Sequence, residues 1–448
     1  MNNRIPQNYL EMIRAIPPQR EALITDGTVY TYGSLAAAAE ERQRELGVWA
    51  QKQSGTAQSS GQSYRRQPCQ SPAGTPRSLH LIREARIARQ LIDFLALSGT
   101  RLVPMIVPQD ANPDPAFPGE SSTSSQIPSS ACMAVLTSGT CGQAKILYRS
   151  FASWYNYFTI QNQIFDMNAD TRLFLQGSLA FTGNLNLCLA QLAAGGTVIA
   201  ESQPDPRIWL QRIRTCYVNG IYLIPSKLQL LEKLCRQEKR RIVNPHILTI
   251  ISGSQSLGRS QMMALKRHFP NAALTLYYGA SELSYLTYVK DCDMKEDASL
   301  IGRPFPEVDL RLENGQFLVS TAYAAIGYET DACIGDCGHQ DEDGLFYFDG
   351  RADDILNLHG RKISALRIEN ALLSLRGIDE AAVQIIREGG REYLATWLTA
   401  DESCRNEQQI RARLRSLLPE WELPRRFYFV SSLPRTESGK IRKERKSE

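Results

Sequence analysis

Between residues 131 and 301, short apolar runs of strand length (ACMAVLTSG, LFLQGSLA, GGTVIAE, NGIYLIP, ILTIISG, ALTLYYG) alternate with helix-like stretches such as SKLQLLEKLCRQEKR and SQMMALKRHF. Strand–helix alternation predicts a largely parallel sheet covered by helices. Ligands of such sheets collect where strands end in loops, so the glycine-containing loops after these strands are the first places to look. Upstream, ALITDGTVYTY predicts two strands joined by a tight Asp26-Gly27 turn, then a helix over residues 33–46. Beyond Gly302 the pattern shifts to short strands and turns (VDLRLENGQFLVS, GLFYFDG). From about Arg351 a small α+β unit follows: helical IENALLSL, strands AAVQIIREG and REYLATWLT, helical EQQIRARLRSLL and strand RRFYFVSSL.

Composition changes this picture in two places. Residues 51–77 are dense in Ser, Gln, Gly and Pro and poor in large apolar groups, which reads as a disordered loop or linker, and a second polar stretch runs over 109–130. At 448 residues the chain is long enough for two or three domains. A net charge of +4 is small for this length and carries no nucleic-acid signature. The N-terminal MNNRIPQNYLEMIRAIPPQREAL lacks the apolar core of a signal peptide. No stretch approaches the roughly 20 apolar residues of a membrane span. The ten cysteines are scattered singly; Cys333 and Cys337 lie four apart, with no His or second Cys pair nearby to complete a zinc site. A cytoplasmic protein with free thiols is the expectation.

Four segments carry candidate chemistry. In Leu136-Thr137-Ser138-Gly139-Thr140-Cys141-Gly142-Gln143-Ala144-Lys145, a strand runs into two glycines, several hydroxyls and a lysine. Glycines let backbone N–H groups turn toward an anion, hydroxyls donate to phosphate oxygens, and the lysine offsets their charge. The spacing is not that of a Walker A loop, and such a segment alone is also an ordinary turn. In Tyr277-Tyr278-Gly279-Ala280-Ser281-Glu282 a tyrosine can stack on a purine and a glutamate can hold a magnesium ion; an edge tyrosine with a helix-capping Ser-Glu pair reads equally well. The third segment is Gly335-Asp336 followed by Gly350-Arg351-Ala352-Asp353-Asp354. Its first Asp marks a turn or accepts ribose hydroxyls, and Arg351 offers a forked donor. The fourth, Leu433-Pro434-Arg435-Thr436-Glu437-Ser438-Gly439-Lys440, places a lysine on a glycine-containing loop near a basic, solvated end.

In this order and spacing the four segments resemble the acyl- and aryl-adenylate-forming (AMP-binding) superfamily, over about residues 20–440 and poorly between 51 and 130. The resemblance implies an α/β fold: a large N-terminal domain of stacked sheets with helices (1–350) and a small mobile α+β C-terminal domain (351–448). It also implies that Thr137, Ser138, Gly139, Thr140, Gly142 and Lys145 close over the ATP phosphates. Cys141 and Ala144 stand where a hydroxyl residue and Pro are usual, which removes one donor and loosens the loop. The segment Ser252-Gly253-Ser254-Gln255 matches the adenine pocket, and Tyr278 the residue stacked on adenine, next to Gly279. Ser281 matches a phosphate-contacting hydroxyl, and Glu282, with Thr140, the magnesium site. Asp336 and Arg351 match the ribose contacts, Asp353 the interdomain hinge, and Lys440 the catalytic lysine between carboxylate and α-phosphate.

The implied activity is ATP- and Mg2+-dependent ligation of a carboxylic acid to a thiol through an acyl-AMP. Relatives that activate amino acids place an Asp where Thr182 stands. Without it an α-ammonium would be buried unpaired, so the expected acid lacks an α-amino group. Its pocket is expected from Phe181, Thr182, Asn184 and Leu185, with Leu283, Ser284 and Tyr285. Coenzyme A and the phosphopantetheine arm of an acyl carrier protein both remain open as acceptor. Arg425, Arg426, Arg435, Arg442 and Lys443 suit either, since both carry phosphate. A non-catalytic nucleotide-binding relative is the alternative of a different class.

Overall fold

The computed structural model describes residues 5–54, 77–108, 127–136, 145–237, 242–352 and 355–433, with side chains left out of account at 48–54. The segments 137–144, 353–354 and 434–448 lie outside the described residues. With them lie the expected phosphate-loop residues Thr137, Ser138, Gly139, Thr140 and Gly142, the expected hinge Asp353 and the expected catalytic Lys440.

Among the described residues a single sheet of 13 strands runs through the large part of the molecule. Six of its strands pair in parallel, in the spatial order Ala273–Ala280, Thr249–Gly253, Gly220–Tyr222, Arg172–Gln176, Thr197–Glu201 and Glu21–Thr25. These include the apolar runs expected as strands after residue 170. Their side chains alternate between two cores: Leu173 and Leu175 pack on one face and Phe174 on the other, as a period of two demands of a sheet buried on both sides. Helices Thr182–Ala193 and Phe151–Ile164 cover the first face, and Pro206–Thr215, Pro225–Gln237 and Arg259–Lys266 the second. Trp209 and Ile213 recur four residues apart on the buried stripe of their helix.

The strand Thr28–Thr31 adds antiparallel at one edge, turned by Asp26 and Gly27, both at positive φ (50° and 76°). The helix that follows spans Tyr32–Ser54 and so extends beyond the expected 33–46. Gly47 does not end it, since a lone glycine inside a helix costs only about 1 kcal/mol. Its last turn takes in the first residues of the segment expected as a polar loop, of which 55–76 lie outside the described residues. At the opposite edge an antiparallel series continues the same sheet through Ser284–Lys290, Leu300–Pro304, Phe346–Arg351, Asp336–Gln340, Gln316–Ser320 and Asp309–Glu313. Two small two-stranded sheets, Ser78–Ile82 with Leu102–Ile106 and Ala131–Leu136 with Ile146–Ser150, complete the large part.

The smaller C-terminal part has its own core. Ile363, Ile368, Val383, Leu394, Leu398 and Phe427 pack between the helix Ala365–Leu373 and a three-stranded sheet of Ile378–Glu388, Arg391–Ala400 and Arg426–Phe429. No described helix is long and apolar enough to cross a membrane.

Candidate functional site

Two adjoining cavities lie where the parallel strands end. The larger, of about 870 Å³, receives the loop after Thr249–Gly253, the loop after Ala273–Ala280, the facing ends of the strands that carry Asp336 and Arg351, and one face of the helix Ala365–Leu373 from the C-terminal part. The smaller, of about 100 Å³, runs toward the helix Thr182–Ala193. Phe181, Ser254, Tyr277, Gly279, Ala280 and Ser281 line both and form the seam between them.

The larger cavity gathers residues distant in the chain. In the antiparallel ladder Asp336 is paired with Arg351, and Arg351 Nη1 lies 3.3 Å from Asp336 Oδ1 while Nη2 donates to the Ile334 carbonyl at 2.9 Å. The Tyr278 phenol donates to the other oxygen, Oδ2. Burial pushes the Asp336 carboxyl above the usual carboxylate range; the Tyr278 hydrogen bond and the Arg351 charge oppose the shift. Burial and then the Asp336 charge raise Tyr278 well above an ordinary phenol. Phe348 and Phe317 flank the Tyr278 ring at 5.4 and 5.9 Å between centroids, fixing its plane. Ser281, Glu282 and Lys145 reach the same cavity. The Glu282 backbone is anchored by Ala325, whose N–H donates to the Glu282 carbonyl at 2.7 Å.

Close packing holds the strand ends open. A side chain at Gly253 would place its Cβ 2.5 Å from the Tyr277 ring, and Ser254 next to it takes a left-handed φ of 68°. Strain of that kind is concentrated at functional loops. Ser252 lies beneath, its hydroxyl donating to the Leu223 carbonyl at 2.8 Å. Gln255 accepts from the Ser226 N–H at 3.0 Å.

Of the residues expected to hold the acid, Phe181 and Thr182 line the smaller cavity. Asn184 does not: buried behind it, the amide donates to the carbonyls of Gln176 and Ser178 at 3.3 and 3.0 Å. Leu283 is fully buried in the core and lines neither cavity, because the backbone of residues 280–283 turns it inward while Ser281 and Glu282 face the cleft. Leu185 likewise belongs to the core, and Ser284 and Tyr285 line the smaller cavity. That cavity also holds three residues the motifs do not mark: Arg149, Trp154 and Asn186. Arg149 stood in plain view as a cation on the inward face of the strand Ile146–Ser150, where Leu147 and Arg149 are the buried positions. Asn186 accepts a hydrogen bond from the Tyr285 hydroxyl at 2.8 Å.

Comparison with known proteins agrees with this geometry. The family model for AMP-binding enzymes matches residues 79–321, and the model for the AMP-binding enzyme C-terminal domain matches 367–440. A relative from Bacillus subtilis (strain 168), named as an uncharacterized acyl–CoA ligase, is 26% identical over 329 residues, 69% of this chain and 66% of the relative. A putative long chain fatty acid–CoA ligase of Staphylococcus haemolyticus is 27% identical over 322 residues, 68% of this chain and 67% of the relative. The matched part thus spans about two thirds of these relatives' own length. The structure of O-succinylbenzoate coenzyme A synthetase from Bacillus subtilis, in complex with ATP and magnesium ion, superposes with a TM-score of 0.76 at 16% identity, covering 97% of this chain and 98% of that one.

Proposed function

The chain belongs to the AMP-binding enzyme family, and from that premise we propose that it is an ATP-dependent acid–thiol ligase: a carboxylate attacks the α-phosphorus of ATP, pyrophosphate leaves, and a thiol then attacks the acyl carbon of the acyl-AMP and releases AMP. The observation that carries this reading is the convergence of Tyr278, Glu282, Asp336 and Arg351 on one cleft that opens into a second, acid-sized cavity at Gly279–Ser281.

The residues fit a nucleotide. A cavity of about 870 Å³ lies within the roughly 300–1,000 Å³ typical of small-molecule sites. Asp336 offers an acceptor to ribose hydroxyls, Arg351 a neighbouring donor, and Tyr278 a ring held in place for stacking on the base. Ser254, Ser281 and Lys145 suit the more polar parts of the same ligand. Thr137, Ser138, Gly139, Thr140 and Gly142 are assigned to the phosphates on the motif alone. Magnesium fits too. Among the described residues no group of three or more His, Cys, Asp or Glu is placed to hold a metal by itself, and Mg2+ is characteristically bound by one or two carboxylates together with substrate phosphates. Glu282 is the carboxylate so placed; Thr140 is assigned to the ion on the motif alone. The ion would neutralise charge on the phosphates.

The names of the matched relatives favour coenzyme A over a carrier protein as acceptor. Among the described residues lining the smaller cavity none is acidic, which supports an acid without an α-amino group. We further assign residues 1–350 to the nucleotide-binding body and 351–448 to a unit that turns about Asp353, bringing Lys440 to the site and then withdrawing it. The helix Ala365–Leu373 already forms part of the cleft wall. ATP–pyrophosphate exchange with magnesium present tests the proposal. Acid-dependent exchange, followed by AMP release only when CoA is added, is the expected result. Turnover that requires a pantetheinylated carrier instead would reassign the acceptor, and ATP binding without exchange for any acid would overturn the ligase reading.

A further inference from the structure

Arg149 has no solvent exposure. Its described partners are the Tyr323 carbonyl (2.9 Å from Nη1), the Ser281 carbonyl (2.5 Å from Nη2) and the Trp154 ring beneath the guanidinium at 5.2 Å; Nε has no partner among the described residues. A guanidinium has more donor hydrogens than these bonds use, and no carboxylate is among its partners. Burial lowers its pKa only to about 10, so it is charged at neutral pH. Its neighbours Tyr9 and Cys132 do not ionise to balance it: burial raises the phenol well above its usual range and the thiol to about 12. The Glu282 charge acts on Arg149, but Glu282 lines the larger cavity and not the smaller one. A buried charge with no carboxylate bonded to it is expensive. A carbonyl-capping role alone would not require it, because neutral donors satisfy carbonyls.

The position of Arg149 indicates what completes the pair. It lines the smaller cavity and not the larger one. The reacting carboxylate must lie at the seam, next to the nucleotide, so a group facing Arg149 belongs to the far end of the acid. The cavity is short, and polar groups of Thr182, Asn186 and Ser284 share its wall. Resting on the adenylation reading, we propose that the acid is a short dicarboxylic acid whose second carboxylate is bound by Arg149. A long alkyl chain would exceed a cavity of about 100 Å³, and would leave the guanidinium among Trp154, Phe181 and the wall hydroxyls with no carboxylate bonded to it.

The experiment measures ATP–pyrophosphate exchange, and in parallel calorimetric binding, for malonate, succinate and glutarate against their monomethyl esters and against octanoate and palmitate. On the wild-type chain one of the diacids should exceed its own ester on the order of 10²-fold, the scale of a buried charge pair losing one partner. Arg149→Met should collapse that ratio toward one, and Arg149→Lys should restore part of it. A role confined to holding Ser281 and Tyr323 would lower every acid equally and leave the ratio unchanged, which overturns the proposal; so would wild-type preference for esters or long-chain acids. The wild-type ratio is informative even where a variant fails to fold. Diacid binding that follows this pattern without any exchange would sustain the role of Arg149 and instead overturn the adenylation reading.

Discussion

Asp336 shares its carboxylate between two donors, with the Tyr278 phenol on Oδ2 and Arg351 Nη1 3.3 Å from Oδ1. The three residues sit on three strands of one sheet, so the acceptor proposed for the ribose also fixes the ring proposed for the base. Asp336→Asn should therefore weaken ATP and AMP binding on the order of tenfold, the worth of about one charge-assisted hydrogen bond, and leave the acid KM nearly unchanged. The pH dependence has a definite sign. Because burial raises the Asp336 pKa, its charge is lost at a higher pH than that of an exposed carboxylate. Nucleotide affinity should fall on acidification from that higher point, and Asp336→Asn should flatten this limb. Calorimetric titration of AMP across the acid range checks both; an unaltered acid limb in the variant would remove Asp336 from the ribose.

Gly183 packs against a hydroxyl pair. The Tyr222 and Tyr277 hydroxyls lie 2.9 Å apart, and a Cβ on Gly183 would collide with the first and stand 3.2 Å from the second. Gly183→Ala should cost about 1–3 kcal/mol of stability through overpacking. It should also lower kcat/KM for the acid on the order of tenfold, with ATP binding intact, since Gly183 lines only the smaller cavity. Equal loss of ATP and acid binding would show instead that the strand ends had shifted as a whole.

How far this site was legible in the sequence depended on how local each cause was. The hairpin at Asp26-Gly27 announces itself, because both residues take positive φ. The parallel strands announce themselves as apolar runs, because both faces are buried. Asp336 and Arg351 were legible as motif residues, but their pairing was not: it needs a register between strands separated by a turn. The attachment of Phe346–Arg351 to Leu300–Pro304, which makes the antiparallel strands part of the main sheet, depends on a longer-range pairing still. Arg149, Trp154 and Asn186 meet through the packing of a strand and two helices, and no spacing in the chain encodes that meeting. Leu283 shows the converse error. It neighbours two cleft residues in sequence, and the turn of the backbone sends it to the core.

His339 and Asp349 form a pH-dependent contact beside the cleft. His339 Nδ1 lies 3.0 Å from both oxygens of Asp349, and its ring stacks on Tyr347 at 4.8 Å. The Asp349 hydrogen bond raises the His339 pKa above its ordinary 6.5. A histidine raised in the folded state stabilises fully below its unfolded pKa and loses that contribution as pH rises through the folded one. The Tm of the wild type should thus exceed that of His339→Gln most clearly near about pH 6, and the gap should close toward about pH 9. High salt should narrow the gap at the lower pH, because the pair is half-exposed. A pH-independent difference would assign the effect to the Tyr347 stack.

The last prediction concerns Lys440, whose role rests on the motif alone. In the first half-reaction two anions, the acid carboxylate and the α-phosphate, must come together, and the described residues at the seam supply hydroxyls and backbone rather than a cation. A lysine between them stabilises charge that develops only in that step. In the second half-reaction the acyl-AMP already exists and the attacking group is a thiol, so the need for that cation disappears. Lys440→Ala should therefore slow ATP–pyrophosphate exchange on the order of 10²–10³-fold, as for removal of one electrostatic catalyst. Thioester formation from a pre-made acyl-adenylate should stay within a few-fold of wild type. Parallel loss in both half-reactions would mean that Lys440 supports the fold or the approach of the C-terminal unit and not the chemistry. Loss in the second alone would place it on the thiol side of the site.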